Sequence, residues 1–310
     1  MALRMRHPEK SAWMAGYALL TPAFLVMAVM MVAPLLALVA LSFWTQNGFA
    51  IDRTPTLANY WTIIEPADKP FFWMGIPFPF KYPPPAVLML KSIVVSLVAT
   101  ALVILLAYPM AYFLAFRVKR RKTLWLVLLT IPFWTSYLLR VFSWKIVLGY
   151  NGAINSALKT LGIIDRPLEF LLYNPAAVAI TLAHAWIAFT VLPIYVSLEK
   201  IDPSLLEAAT DLGDTKWRRF LRVTLPLSAP GTIGAALLVF IPTVGDYVTP
   251  MLVGGPGGTM IGNLIQELFL RQNNAPLGAA LAIMMMVIIG VLVAFFLWAI
   301  GFRRLRSRVS

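Results

Sequence analysis

The sequence has no cysteine in 310 residues. Disulfides and thiolate metal sites are therefore excluded, and little is said about compartment. It has two histidines, His7 in a basic tail and His184 alone in an apolar stretch. No metal cluster can be built from them. Charged residues make up only 13% of the chain, and 13 residues are acidic. That is about half the charged share of a soluble domain. No Gly-x-x-x-x-Gly-Lys-[Ser/Thr] occurs, so the chain lacks the phosphate cradle of a P-loop ATPase. Polar residues within the apolar stretches are few and scattered, and no Ser–His–acid arrangement stands out. The chain therefore reads as non-catalytic.

What it has in abundance is apolar sequence. Hydrophobic residues make up 60%, and mean hydropathy is +0.80. Those values argue against a soluble enzyme and rule out disorder. The net charge of +13 would point to nucleic acid in a soluble protein. In a membrane protein it reflects basic loops held on the cytoplasmic side, so nucleic acid is not expected as a partner.

Six stretches are apolar enough and long enough to cross a bilayer, which takes about 20 residues. They are 17–43, 88–116, 124–148, 176–198, 228–250 and 279–302. The first runs on through Leu35 to Leu41 without a small-residue cleavage site. It reads as a retained helix rather than a signal peptide. The tail 1–16, the run 117–122, the segment 199–227 and the tail 303–310 hold 17 of the 26 lysines and arginines. The positive-inside rule then places both termini in the cytoplasm. The fold class expected is an all-α membrane protein with six transmembrane helices. Residues 44–87 form an external loop, and 88–302 a core of five spans. The loop is rich in proline and aromatics, as in Phe71-Phe72-Trp73 and Pro77-Phe78-Pro79-Phe80. Such residues suit a membrane interface. Docking of an external partner is the sharper alternative.

The segment 199–227 carries the most information. Asp202 is a good N-cap, and Pro203 fits the first helical position. Leu205, Leu206, Ala209 and Leu212 fall on one helical face. Gly213 is placed as a left-handed stop. Asp214 is placed to cap a second short helix bearing Trp217, Phe220 and Leu221, which Pro226 ends before the fifth span. Two short amphipathic helices of this kind either lie on a membrane surface or dock into a partner's groove.

These residues also form a motif. Glu207-Ala208-Ala209, Gly213 and Val223-x-Leu225-Pro226 resemble the "EAA" loop of permease subunits of bacterial ABC importers. Every spacing is kept, and the one departure is Val223 where the pattern has isoleucine. Further runs resemble spermidine/putrescine-type permeases. They are Pro132 to Arg140, Leu192-Pro193-Ile194-Tyr195, Phe240 to Gly255 and Ile261-Gly262-Asn263. The likeness spans about 86–300 and is strongest between 132 and 262.

The resemblance implies a type I ABC-importer transmembrane domain in the bacterial inner membrane. It implies a coupling helix that docks on an ATPase dimer through Glu207, Ala208, Ala209, Asp211, Leu212 and Gly213. ATP and Mg would be bound by that ATPase, with no cofactor or metal in this chain. A second permease subunit, a different chain, and a periplasmic substrate-binding protein complete the expected complex. The expected solute is a polyamine such as spermidine or putrescine. Another small solute, an amino acid derivative or opine, is the alternative.

Asp246 is the only carboxylate within the six stretches. Gly245, Pro242 and Pro250 beside it can break the helix and open backbone groups to a cavity. A carboxylate there would attract an amine. Alternatively it lies at a wet outer helix end, about 22 Å along a helix starting near Gly231. Arg140 complicates this, since it could snorkel outward, as could Lys145, or pair with Asp246 and make that carboxylate structural. Among the aromatics Trp134, Tyr137, Trp144, Trp186 and Tyr247, cation–π contact with an amine is assigned to Trp134, Tyr137 and Tyr247. With Asp246 these form the expected substrate pathway. His184 reads as a core residue, and Met284-Met285-Met286 as packing. The run 117–122 reads as a topology determinant, then as an anionic-lipid contact. A secondary transporter would need internal repeats and an ion site, and a membrane enzyme would need a constellation; neither feature is evident.

Overall fold

A computed structural model describes residues 9–66, 71–73, 76–78 and 83–306. Arg4, Arg6, His7, Pro79, Phe80 and Arg308 lie outside the described residues.

The first apolar stretch lies in helix α1, Glu9–Ser42, which starts earlier than the expected 1–16 tail allows. The outer segment begins with a hairpin of strands β1, Thr45–Asn47, and β2, Ala50–Asp52, paired in register Gln46↔Ile51. Gly48 turns it at φ +64°. Helix α2, Ala58–Ile64, then folds back against the bundle. Asn59 donates to the carbonyls of Ser42 and Trp44 at 3.0 and 2.6 Å. Ile63 is fully buried beside Met89, Phe240 and Val244. This part of 44–87 is therefore packed structure rather than a loose interfacial loop, because α2 offers an apolar side to the core. A second hairpin follows, of β3, Phe71–Trp73, and β4, Ile76–Phe78.

Helix α3, Pro84–Phe116, starts four residues earlier than expected because proline suits a first turn. The chain reverses at Arg121, φ +56°. Helix α4, Lys122–Thr130, then leads into a 3₁₀ turn, Ile131–Trp134. Helix α5, Tyr137–Leu148, and helix α6, Ala153–Thr160, follow. The expected third span is therefore not one helix but two segments bent by 81°. Pro132 removes a ladder donor, and Thr135 and Ser136 take extended backbone with ψ of 151° and 138°.

Helix α7, Pro175–Glu199, is capped by Asn174, whose side chain accepts from Ala177 N–H at 2.9 Å. Helices α8, Pro203–Asp211, and α9, Lys216–Arg219, form the short-helix unit between α7 and α10. A π turn, Phe220–Thr224, then runs without interruption into α10, Leu225–Val244. Pro226 thus does not end a helix, contrary to expectation. The wider turn before it relieves the clash a proline ring makes with the preceding turn. The fifth span stops at Val244 rather than 250. After it come a π turn, Pro250–Gly254, and helices α11, Gly255–Gly258, α12, Ile261–Leu270, and α13, Ala275–Arg306. Among the described residues five helices are long and apolar enough to cross a membrane, and the bent pair adds a possible sixth.

Helix α7 is the centre of the bundle, packed between α3 and α10. Ala107, Ala111, Val191, Ile194, Leu198 and Ala235 form one buried cluster there. Small side chains allow helices in lipid to approach closely. Gly231 is the tightest such point on α10. A Cβ there would overlap Ser197 Cβ and the Pro193 carbonyl. Gly231→Ala is expected to destabilise the bundle by about 1–3 kcal/mol through overpacking. The check is the thermal midpoint of the detergent-purified protein. An unchanged midpoint would show that α7 and α10 separate freely.

Met285 is buried beside Leu281, with Met284 packed against the same cluster, as expected. His184 instead faces outward, edge-on to Trp144 at 5.5 Å, so it is not a core residue of this subunit.

Candidate functional site: a cavity between two helix breaks and a pair of short connecting helices

Two helix breaks meet at one side of the bundle. One is the Thr135–Ser136 break before α5. The other follows Val244, where Gly245 and Asp246 leave the helix. Asp246 Oδ1 accepts from Val248 N–H at 3.0 Å, a local turn that short acidic side chains favour. Asp246 Oδ2 accepts from the Tyr137 hydroxyl at 2.6 Å. That proton is committed, so the Thr249 hydroxyl, 2.7 Å away, donates to the Tyr137 oxygen. The breaks are thus joined by a charge-assisted hydrogen bond, stronger than a neutral one.

The run Ile261-Gly262-Asn263 supports this junction. A Cβ on Gly262 would meet the Gly245 carbonyl at 2.6 Å, so only glycine allows this approach. The Asn263 amide donates to Tyr247 O at 2.8 Å.

The junction borders a cavity of about 430 Å³. Tyr137, Asp246 and Tyr247 line it together with Phe133, Arg140 and Trp186. Trp134 does not line it and is 78% exposed at the end of the 3₁₀ turn. The turn rotates Phe133, its neighbour, inward instead. The run Pro132 to Arg140 reaches the cavity through Phe133 rather than Trp134, since a 3₁₀ turn and an α-helix point adjacent residues differently.

Arg140 neither snorkels outward nor pairs with Asp246. Its Nη1 donates to the Ala185 carbonyl at 2.9 Å, and its guanidinium lies 4.7 Å from the Phe133 ring centroid. Among the described residues no carboxylate pairs with it. Its Nε is buried without an acceptor, and so is the Trp186 indole N–H. A second cavity, about 290 Å³, lies beside α12 near Glu267 and Arg271. Glu267 there already accepts from Gln272 at 3.1 Å.

The short-helix unit of α8 and α9 is built from its caps. Asp202 accepts from Ser204 N–H at 2.9 Å, which holds its carboxyl below its ordinary pKa. At the other end Gly213 has φ +85°. Gly213 N–H bonds the Thr210 carbonyl at 2.9 Å, and Asp214 N–H bonds the Ala209 carbonyl at 3.0 Å. That is a Schellman closure. Thr215, not Asp214, caps α9, accepting from Arg218 N–H at 3.3 Å. Asp214 instead pairs with Arg222 at 3.3 Å. Arg219 donates to the Thr210 hydroxyl at 2.8 Å and stitches the two short helices together.

Ala209 is buried, and Leu206 packs against the cluster that also takes Phe220. Glu207, Ala208, Asp211, Leu212 and Gly213 are exposed. Leu212 is 88% exposed and Leu205 is exposed too, while Leu206 and Ala209 turn inward, so the four do not form the single face expected of them. The helix ends at Leu212, and the left-handed turn swings it out.

This architecture defines a class. The chain belongs to the family "Binding-protein-dependent transport system inner membrane component", whose profile matches residues 103–307. It is a multi-pass inner-membrane protein and the permease of an ABC importer. It is 35% identical over 278 residues to the "Spermidine/putrescine transport system permease protein PotB" of Salmonella typhimurium (strain SL1344), covering 89% of this chain and 90% of that protein. To the protein of the same name from Escherichia coli (strain K12) it is 36% identical over 260 residues, covering 84% and 88%. The fold is shared with a chain in the crystal structure of a bacterial alginate ABC transporter in complex with alginate pentasaccharide-bound periplasmic protein. The TM-score there is 0.64 at 20% identity, covering 92% of this chain and 93% of that one.

Proposed function

We propose that this permease carries a small amine, a polyamine of the spermidine or putrescine type, from the periplasm to the cytoplasm. The observation that carries the reading is Asp246, a carboxylate at a helix break on the wall of an aromatic cavity. Tyr137 and Tyr247 add ring faces that an ammonium would find favourable. The names of the relatives give the same solute class.

In this reading the bent pair Lys122–Trp134 and Tyr137–Thr160 counts as one span. That makes six, with both termini in the cytoplasm. The chain does no chemistry and holds no cofactor. An ATPase dimer binds ATP and Mg and receives the face formed by Glu207, Ala208, Asp211, Leu212 and Gly213, while Ala209, expected on that face, is turned into the permease's own core. A second permease, a different chain, closes the open side of the cavity, and a periplasmic binding protein delivers the solute. The Schellman closure makes α8 a rigid lever, and its buried Ala209 and packed Leu206 tie it to the base of α10. Movement of the ATPases would then reach the α10 end at Asp246 through one continuous helix.

The test is ATP hydrolysis and uptake by the complex in proteoliposomes with its binding protein. The solutes are putrescine, spermidine, a neutral amino acid and a sugar. Stimulation by the two polyamines is the expected result. Stimulation by the sugar alone would retire the amine reading. ATP hydrolysis independent of this subunit would remove the docking role.

A further inference from the structure

We infer that the same cavity also takes an amine bearing a carboxylate, an ω-amino carboxylate, with Arg140 receiving the carboxylate end. The inference rests on Asp246 being the ammonium site. It starts from a mismatch of charge. Arg140 lies in a membrane-spanning segment, where an unpaired cation is costly and is normally matched by a counter-ion. Here its partners among the described residues are a neutral carbonyl and two ring faces. Asp246 forms no ion pair with it; among the described residues its oxygens accept only from the Tyr137 hydroxyl and Val248 N–H. Beside the guanidinium, two buried donors lack acceptors, Arg140 Nε and Trp186 Nε1. Both residues line the cavity that Asp246 also lines.

One cavity is thus lined by a carboxylate in one place and, in another, by a guanidinium that no carboxylate among the described residues neutralises. A plain diammonium satisfies only the first. A short chain with an ammonium at one end and a carboxylate at the other satisfies both. The guanidinium is suited to the second contact, since it meets a carboxylate in a two-point fork. A volume of about 430 Å³ accommodates such a solute.

The experiment uses the purified permease–ATPase complex and two radiolabelled probes, putrescine and 4-aminobutanoate. Binding is measured at equilibrium without the binding protein, so that protein's selectivity does not enter. Wild type is expected to bind both. Asp246→Asn should weaken both. Arg140→Gln should weaken 4-aminobutanoate tenfold or more and leave putrescine equal or tighter. Arg140→Lys keeps the charge but loses the fork and should give an intermediate loss, which covers the case where the glutamine variant fails to assemble.

If putrescine binds in an Asp246-dependent way and 4-aminobutanoate does not bind, the inference is overturned and the amine reading stands. Equal weakening of both probes by the Arg140 variants also overturns it, since Arg140 then does not distinguish the carboxylate end. Binding of neither probe overturns both readings.

Discussion

Gly213→Val is expected to reduce solute-stimulated ATP hydrolysis of the assembled complex tenfold or more. Gly213 sits at φ +85°, where a β-branched residue is an outlier. The left-handed conformation costs an ordinary L-residue about 1–2 kcal/mol. No atom lies within 4 Å of the position a Cβ would take, so crowding plays no part and the penalty is purely backbone. The chain escapes it by leaving the left-handed region. That breaks the Gly213–Thr210 and Asp214–Ala209 bonds and re-aims Leu212. The effect should therefore be specific to the backbone. Gly213→Asn should retain most of the stimulation, because asparagine tolerates this region. The readouts are co-purification with the ATPase and solute-stimulated hydrolysis. Normal values for the valine variant would show that the turn does not transmit the signal.

Asp246→Asn is expected to lower uptake of a polyamine about ten- to hundredfold, corresponding to loss of a charged hydrogen-bond partner worth about 1.5–3 kcal/mol. Asparagine keeps an oxygen for Val248 N–H, so the turn at the end of α10 should survive. The new amide nitrogen then faces the Tyr137 oxygen and donates to it, and the Tyr137 proton turns to the Thr249 hydroxyl. Loss of transport with normal assembly would then report the charge itself. Unchanged uptake would make Asp246 a fastener between the two helix breaks and nothing more.

The segments that proved easiest to read were those governed by local rules. The cap at Asp202, proline at 203 and glycine at 213 all rest on contacts within a few residues, and each is found as expected. Asp214 and Thr215 exchanged roles because two adjacent residues can both cap a helix. The nearby Arg222 decides between them by pairing with Asp214. Pro132 and Pro226 show the limit of a local rule. Both are prolines in apolar stretches. One accompanies an 81° bend, and the other rides through on a π turn. Composition alone does not separate the two outcomes, because both relieve the same steric clash. The packed helix α2 escaped notice in a proline-rich segment, since seven residues are too few for periodicity to stand out.

Hydropathy, the distribution of basic residues and the Glu207–Pro226 spacing were sufficient by themselves to give a membrane class, its short-helix unit and a family resemblance. Each of those depends on the chain's own residues and on water or lipid around them. Tertiary structure alone decided that Tyr137 holds Asp246 across 109 positions of sequence. It alone decided that Arg140 faces the same cavity without a carboxylate partner, and that Phe133 turns inward where Trp134 turns out. Those outcomes depend on how two broken helices are oriented relative to one another, and a break frees an orientation that only packing against α7 and α12 restores.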